Sequence, residues 1–465
     1  MTLTTSAAPH LPARQDAAEG PALSRRDLLH GLGSVSLGLG GGLFAAAAAR
    51  ADAAPQAAGY RLEAAAQVSA ARLDAEVANA FPLFNAGPVL PDFDATLLGA
   101  ANDVELHRIV TTTTLPGSGE VVEITGLLAL PVGARAGLPV VSWQHGTILS
   151  FDQVPSNLTL LGDADYSLTD DADSLETLFN VHRFAAQGFA VIAADYVGKG
   201  PLREGRNEAY VVKDVTTQTC TAVLDAGLAA LRDMELAPGK LFLHGWSQGA
   251  INTQWLHQAL RSDGVAIAAS AVASPFNDTF QAWRFWAGRE TFALPEGVEA
   301  YPAIPAWLPL CMIVLLGSYE TYYGLDGLLE AAIRPEYHAM ARQYWSDYSV
   351  DFAPDTAYPT STDLLVEGFF DRFTDERNSA FIRQLAGNGA SYWHYDSPMR
   401  FHFGLVDEAI HPEMVGRALA AGGELAIPVP VGNASHRATF LAGLYGDAAS
   451  LGGNDNILSW FRSRL

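Results

Sequence analysis

A Gly-x-Ser-x-Gly sequence lies near the middle of the chain, between a segment typical of a strand and a segment typical of a helix. Three apolar residues, 241–243, precede it, and an amphipathic segment, 250–261, follows it. A serine at a sharp turn between a strand and a helix has a strained backbone that holds its hydroxyl away from the sheet. Gly245 and Gly249 permit this turn because side chains there would collide with the neighbouring elements. The sequence therefore predicts that Ser247 projects from the end of a buried strand.

Strand-like and helix-like segments alternate on both sides of this turn. Alternating apolar and polar residues at 104–111 and 121–130 predict an antiparallel hairpin. The later strand-like segments are apolar throughout and are separated by helical segments: 138–144, 189–195, 240–246, 264–272, 399–406 and 424–431. Such alternation is typical of a parallel sheet with helices on both faces. The predicted fold class is therefore α/β, with a mostly parallel sheet.

The alternation is interrupted once, which divides the chain into parts. Residues 60–80 are rich in alanine with helical spacing, so we predict an N-terminal helical extension over 52–103. The α/β core then occupies 104–274 and 396–465. Between these two parts, residues 275–395 are rich in tryptophan and tyrosine and predict several helices. We expect this segment to form a helical cap, or lid, over the sheet.

The first residues predict export from the cytoplasm. Ser24-Arg25-Arg26-Asp27-Leu28-Leu29 precedes a weakly apolar segment rich in glycine and alanine, and Ala49-Arg50-Ala51 offers a cleavage site. This arrangement resembles a twin-arginine export signal, here over residues 1–51. Glycines interrupt the apolar segment, which disfavours a permanent membrane span. We expect the export machinery as a partner and a periplasmic or secreted mature chain.

Composition excludes several classes of function. The 465 residues have a formal net charge of −23, which argues against binding to nucleic acids or anionic membranes. Cys220 and Cys311 are the only cysteines, so a disulfide framework or a cysteine-rich metal site is excluded; buried free thiols are favoured over a disulfide between them. Aspartates within 163–173 fit no calcium loop, and Asp173 with Glu176 predicts a helix capping box. We predict neither a metal nor a cofactor.

Residues that could activate Ser247 follow it in the sequence. A serine hydroxyl needs an adjacent base, a carboxylate that orients this base, and donors for the oxyanion. In a sheet of this kind the acid and the base come after the serine, each in a loop beyond a strand. Asp407 directly follows the penultimate predicted strand and is the predicted acid; Glu408 and Asp396 are its alternatives. His436 follows the last strand and is the predicted base.

The other histidines fit the role of base less well. His411 shares a loop with the predicted acid, so it cannot supply the separate third loop that the arrangement requires. The remaining ones considered lie on or beside predicted strands: His107, His244, His394 and His402.

Two backbone N–H groups are expected to stabilise a developing oxyanion. Gln248 directly follows the serine and supplies one of them. The second comes from the loop after the strand 138–144, where Thr147 is favoured over the residues on either side of it. Gly146 lets this loop approach the serine, and His145 is expected to hold the loop in place.

These motifs together resemble the α/β-hydrolase superfamily. Within it, the chain over residues 104–465 is similar to secreted bacterial and fungal lipases and esterases with a helical lid. The motifs that carry the resemblance are Gln144-His145-Gly146-Thr147, Asp195-Tyr196-Val197-Gly198, Gly245-Trp246-Ser247-Gln248-Gly249, Gly404-Leu405-Val406-Asp407 and His436. The resemblance implies an eight-stranded sheet, a Ser–His–Asp triad and an acyl-enzyme. The chain departs from many esterases in having Trp246 where they have histidine.

Three functions are compatible with these features. The favoured one is a carboxylic ester hydrolase that acts on a small-molecule or lipid ester. A serine peptidase of the same fold is the second; Glu320 or Glu408 could then bind the amine of its substrate. The third is a binding protein without activity, because a fold alone does not ensure catalysis.

Overall fold

A computed structural model of the protein describes residues 59–87, 89–349, 359–369 and 376–465. The predicted export signal, residues 1–51, lies outside the described residues. No helix in the described part of the chain is both long and apolar enough to cross a lipid bilayer.

One mixed sheet forms the centre of the described chain. Its strands are β1 Tyr60–Val68, β2 Val104–Thr114, β3 Val121–Pro131, β4 Leu138–Gln144, β5 Ala190–Ala194, β6 Pro238–Trp246, β7 Ile267–Ala273, β8 Met399–Phe403 and β9 Ala426–Pro430. They lie in the order β1-β2-β3-β5-β4-β6-β7-β8-β9. The first three strands pair antiparallel, as does β3 with β5. All pairings from β5 to β9 are parallel, so the predicted α/β class with a mostly parallel sheet is confirmed.

The prediction of eight strands and of a helix over 60–80 is wrong. Tyr60–Val68 is a ninth strand that pairs antiparallel with β2, from Tyr60 opposite Thr111 to Val68 opposite Val104. The helix begins only at Ala70. Ser69 is its N-cap residue, and the Ser69 side chain accepts a hydrogen bond from the backbone N–H of Arg72. Alanine-rich sequence favours a helix locally, but pairing with the edge of β2 overrides this preference.

Helices cover both faces of the sheet. The α-helices are α1 Ala70–Phe84, α2 Ala95–Leu98, α3 Leu175–Arg183, α4 Lys213–Asp233, α5 Gln248–Ser262, α6 Thr279–Trp286, α7 Leu308–Tyr323, α8 Leu328–Ala332, α9 His338–Asp347, α10 Ser361–Leu364, α11 Glu376–Gly387, α12 Gly416–Gly422, α13 His436–Tyr445 and α14 Ile457–Arg462. Short 3₁₀ helices occupy Pro155–Gly162, Ala185–Gln187, Pro335–Tyr337, Pro412–Val415 and Gly423–Leu425.

Two large apolar cores form, one on each face of the sheet, and a third, smaller cluster packs β8 with α12. Successive residues of a strand point to opposite faces. In β6, Phe242 therefore packs with α1, α3, α13 and α14, whereas Leu243 packs with α4 and α5. Cys220 lies in the second of these cores, as does Cys311 of α7; both thiols are buried and unpaired, and burial raises the pKa of each to about 12.

The described part of the segment between β7 and β8 consists of helices joined by loops, of which 287–307 is the longest described one. Helices α6 to α11 lie here, and the only strand-like pairing among its described residues is an isolated bridge between Ile333 and Leu365. Residues 328–347 form two helices, α8 and α9, because Pro335 lies between them. The apolar residues of the segment join the core formed by α4 and α5.

The turn after β6 requires glycine at two positions, which gives a test of the fold. A Cβ atom on Gly249 would lie 1.9 Å from the carbonyl oxygen of Gln144. Gly387, the last residue of α11, has no atom within 4 Å of such a Cβ. We expect Gly249→Ala to lower the free energy of unfolding by about 1–3 kcal/mol. Gly387→Ala should raise it by up to about 1 kcal/mol, because alanine restricts the unfolded chain.

Equilibrium urea denaturation of the two variants and the parent chain measures this difference. Equal midpoints for Gly249→Ala and the parent would contradict the close approach of α5 to the end of β4.

Candidate active site

Ser247 occupies the strained turn that the sequence predicts. Its φ and ψ are 56° and −119°, a backbone conformation that residues with a side chain rarely adopt. The backbone N–H of Ser247 donates to the carbonyl of Ala273 at 3.0 Å, which ties the turn to β7. A Cβ atom on Gly245 would lie 2.2 Å from the Gly249 oxygen, so the two glycines must pack against each other. The hydroxyl is thereby fixed at the end of β6, where helix α5 begins.

The structure brings Ser247, His436 and Asp407 into one chain of hydrogen bonds. The Nε2 atom of His436 lies 2.9 Å from the Ser247 hydroxyl. The Nδ1 atom of the same ring lies 2.9 and 3.0 Å from the two carboxylate oxygens of Asp407. All three side chains are buried. This arrangement can take a proton from the serine hydroxyl and stabilise the imidazolium that forms.

Asp407 is held by the loop that follows β8. Its Oδ1 atom accepts hydrogen bonds from the backbone N–H groups of Ala409 and Ile410, at 3.1 and 2.9 Å. The hydroxyl of Tyr301, from the helical segment between β7 and β8, donates to its backbone carbonyl at 2.5 Å. These contacts fix the orientation of the carboxylate before any substrate binds.

His436 is the first residue of α13, and three neighbours fix it. Ser435 caps the helix by accepting from the backbone N–H of Ala438. Glu408, the first alternative for the acid, does not contact the ring: its carboxylate accepts the backbone N–H of His436 at 3.0 Å. The indole of Trp246 donates to the His436 carbonyl at 3.2 Å and packs 5.0 Å from its ring. Trp246 thus helps to position the imidazole.

The charges around His436 change its pKa in a defined direction. Burial alone lowers the pKa of the imidazole. The charge and hydrogen bonds of Asp407 raise it, with a smaller contribution from Glu408, so that the pKa lies above the usual value. A base with a raised pKa is a stronger proton acceptor, provided that the pH keeps it neutral.

The remaining alternatives have other partners. Asp396 pairs with Arg261 at 3.1 Å and is half-exposed. His411 stacks on Phe292 and accepts from the backbone N–H of Glu413. His244 contacts the side-chain oxygen of Asn180 at 2.8 Å and is fully buried. His107 lies 3.7 Å from Glu105, His402 is buried beside the Val272 carbonyl, and His394 is exposed.

The loop that carries Thr147 lies beside the serine. Thr147 lines the same cavity as Ser247, and a Cβ atom on Gly146 would lie 2.9 Å from the Trp246 ring. His145 stacks on Tyr196 at 4.0 Å, and the Tyr196 hydroxyl donates to the His145 carbonyl at 3.0 Å. The N–H of Gln248 belongs to the first turn of α5, where N–H groups have no partner within a helix.

A buried ion pair supports both the loop of Thr147 and the start of α5, and no local sequence pattern predicts it. Lys199 and Glu208 are 2% and 1% exposed, and their charged atoms are 3.1 Å apart. Lys199 donates to the carbonyls of Ile148 and Ser150, next to Thr147. The side chain of Gln248 donates to the other oxygen of Glu208 at 3.0 Å. The sequence Gly198-Lys199-Gly200 follows β5, but no local pattern predicts that Lys199 pairs with Glu208.

Ser247 opens onto a cavity of about 450 Å³. This volume is within the usual range for sites that bind small molecules. Its apolar wall contains Phe84 of α1, Trp246, and Trp307 of the helical segment. The Trp307 ring lies 6.1 Å from the His436 ring. The acidic residues of the cavity are Asp170, Asp171, Asp173, Glu176 and Glu408.

The pKa of His436 is a test of the hydrogen-bond chain that requires no substrate. We expect NMR titration of ¹⁵N-histidine-labelled protein to give a pKa for His436 above the usual value of about 6.5. In Asp407→Asn the pKa should fall below that value, because burial remains while the carboxylate charge is removed. His182, whose pKa burial lowers to about 4, is the internal control and should not move. An unchanged pKa of His436 in the variant would contradict the coupling.

Comparison with solved structures identifies the architecture. A presumed hydrolase from Legionella pneumophila superimposes with a TM-score of 0.65 at 16% identity, over 87% of this chain and 97% of that one. The rice cell wall degrading esterase LipA from Xanthomonas oryzae gives 0.63 at 17% identity, over 82% and 94%. Candida antarctica lipase A gives 0.55 at 13% identity, over 86% and 83%.

The likeness is one of fold. No protein-family model and no curated protein sequence matches the chain. The superpositions cover 82–87% of this chain at identities of 13–17%. The chain therefore has the α/β-hydrolase fold.

Proposed function

We propose that the protein is an exported serine hydrolase that cleaves carboxylic esters through an acyl-enzyme. The observation that carries the proposal is the chain of hydrogen bonds from Ser247 through His436 to Asp407. Nε2 of His436 lies 2.9 Å from the Ser247 hydroxyl, and Nδ1 lies 2.9 Å from the nearer Asp407 oxygen. The fold shared with esterases and lipases supports it.

Ser247, His436 and Asp407 have different roles in this mechanism. The Ser247 hydroxyl attacks the ester carbonyl while Nε2 of His436 takes its proton. Asp407 keeps the proton of His436 on Nδ1 and stabilises the imidazolium. His436 then protonates the departing alcohol, and a water molecule, deprotonated by the same ring, releases the acid from Ser247.

The backbone N–H groups of Thr147 and Gln248 stabilise the tetrahedral oxyanion. The Lys199–Glu208 pair positions them, because one of its ends binds the loop of Thr147 and the other binds the side chain of Gln248. A buried pair of this kind contributes little net stability. The pair instead holds the N–H groups of Thr147 and Gln248, which come from distant segments, at a fixed separation.

The helical segment between β7 and β8 acts as a lid in this proposal. Two of its side chains bind the loop of Asp407: Tyr301 donates to Asp407 itself, and the Trp286 indole donates to the Ala409 carbonyl at 2.8 Å. Trp307 of the same segment lines the cavity. The lid therefore connects substrate binding with the orientation of the acid.

Export to the periplasm or beyond completes the proposal. It is supported by the paired arginines and the apolar segment of residues 1–51. An exported hydrolase can act on small-molecule or lipid esters outside the cell.

Peptidase activity remains the alternative within the same mechanism. Of the two carboxylates considered for binding a substrate amine, Glu320 pairs with Arg342 at 2.6 Å. Glu408 lines the cavity, but one of its oxygens already accepts the N–H of His436. Neither observation favours an amide over an ester.

Hydrolysis of p-nitrophenyl esters from acetate to palmitate, compared with aminoacyl p-nitroanilides, tests the proposal. We expect at least one ester to be cleaved faster than every anilide. Ser247→Ala should remove all but a residual activity, and Asp407→Asn should lower kcat by about 10⁴-fold. The kcat/KM should fall as the pH drops below the raised pKa of His436, because the protonated ring cannot act as a base.

Matched controls separate chemistry from folding. Ser274 directly follows β7, is buried, has φ of 50°, and its hydroxyl has no hydrogen-bond partner among the described residues. Ser274→Ala should therefore retain activity, and so should Asp396→Asn. Faster cleavage of anilides would favour the peptidase, and no cleavage of either class would favour a binding protein. Full activity of Ser247→Ala would contradict the mechanism.

A further inference from the structure

The cavity beside Ser247 carries an excess of negative charge. Five carboxylates line it against the single guanidinium of Arg437. Arg437 pairs with Asp170 at 3.0 Å and lies over the Phe84 ring at 4.7 Å, so its own charge is already matched. The cavity therefore repels anionic groups and attracts cationic ones.

Glu176 differs from the other acidic residues of the cavity. It is the second residue of α3 and is 7% exposed. Asp173 accepts from the Tyr166 hydroxyl and the Thr169 N–H, and Glu408 accepts from the N–H of His436. Among the described residues, none other than Glu176 itself, through its own backbone N–H, donates to the Glu176 carboxylate.

The expected capping role does not explain this residue. Asp173 and Glu176 do not form the predicted capping box, because Ser174 is the N-cap residue and makes no side-chain capping bond. Burial raises the pKa of Glu176 to about 7, and the smaller opposing effects of its own backbone N–H and of the Arg437 charge do not offset this. A buried carboxylate that accepts no hydrogen bond from another described residue is unfavourable for the fold, so a role in binding a ligand is the simpler explanation.

The chemistry of the cavity favours an organic cation over a metal ion. In the part of the chain that the structure describes, no group of three or more His, Cys, Asp or Glu side chains could hold a metal. Two tryptophans, Trp246 and Trp307, line the same cavity as Glu176. Aromatic faces attract organic ammonium groups that a carboxylate also binds.

We propose that Glu176 forms a cation-binding subsite beside Ser247, which selects esters whose acyl or alcohol part carries an ammonium group. This inference rests on the proposed ester hydrolysis. It adds a substrate class that the hydrogen-bond chain of Ser247, His436 and Asp407 does not specify.

Isosteric esters test the subsite directly. The full-length protein is assayed with choline butyrate and 3,3-dimethylbutyl butyrate, which differ only in charge at the alcohol. The p-nitrophenyl esters of 4-(trimethylammonio)butanoate and 5,5-dimethylhexanoate form the matching pair for the acyl part. We expect the kcat/KM ratio of cationic to neutral ester to be about tenfold or more in one pair, as one desolvated charged contact provides.

Variants assign the preference to one carboxylate. In Glu176→Gln the ratio should fall to about one, because the amide has the same shape without the charge. Asp171 lines the same cavity but is exposed, so Asp171→Asn should keep the ratio within about twofold. A ratio near one in the parent protein, or an unchanged ratio in Glu176→Gln, overturns the proposal.

The pH dependence of the ratio adds a second readout. Arg437 and Asp170 face the Glu176 carboxylate, and Asp171, Asp173, Glu408 and His436 line the same cavity. Protonation of His436 slows the hydrolysis of both esters of a pair equally, so it does not change the ratio of their kcat/KM values. The ratio should therefore rise as Glu176 ionises between about pH 6 and 8, and should be flat in Glu176→Gln.

A binding measurement covers the case in which no ester is hydrolysed. Butyltrimethylammonium is added stepwise to the parent protein and to Glu176→Gln, and binding is followed by tryptophan fluorescence. Binding that weakens about tenfold in the variant supports the subsite even if the proposed hydrolysis fails. Equal binding, or none, to both proteins contradicts it.

Discussion

The close approach of two glycines at the end of β6 is the constraint on which the rest of the site depends. Gly245 and Gly249 contact each other across the turn, and Gly249 also lies against the end of β4. Only this packing leaves Ser247 with φ of 56° and its hydroxyl at the open edge of the sheet. Every other group of the site is arranged around that one fixed oxygen atom.

Parallel strands explain why residues so far apart in sequence meet there. The six strands from β4 to β9 all run in one direction, so their carboxyl ends share an edge. Loops leaving this edge carry Thr147, Ser247, Asp407 and His436. Buried charges then hold the loops in register: Asp407 orients His436, and the Lys199–Glu208 pair joins the segments of Thr147 and Gln248.

The sequence predicts those features that follow from chain order and local pattern. Ser247, Asp407 and His436 could be predicted as candidates because each follows the end of a strand, in the order that a sheet of this kind requires. The strand β1 could not be recognised, because its alanines favour a helix until they pair with β2. Contacts between distant side chains, such as that of Lys199 with Glu208, have no local signature. The same holds for Glu176, which resembles a capping residue until the cavity around it is known.

We propose above all that Ser247 is the nucleophile and that Thr147 and Gln248 bind the oxyanion. A crystal structure of the protein after reaction with a fluorophosphonate tests it most directly, because the phosphonyl group resembles the tetrahedral intermediate. We expect a covalent bond from phosphorus to the Ser247 oxygen. We also expect the phosphonyl oxygen to lie about 2.7–3.1 Å from the backbone nitrogens of Thr147 and Gln248, the usual range for such donors. A bond to any other residue, or a phosphonyl oxygen that neither nitrogen contacts, would contradict it.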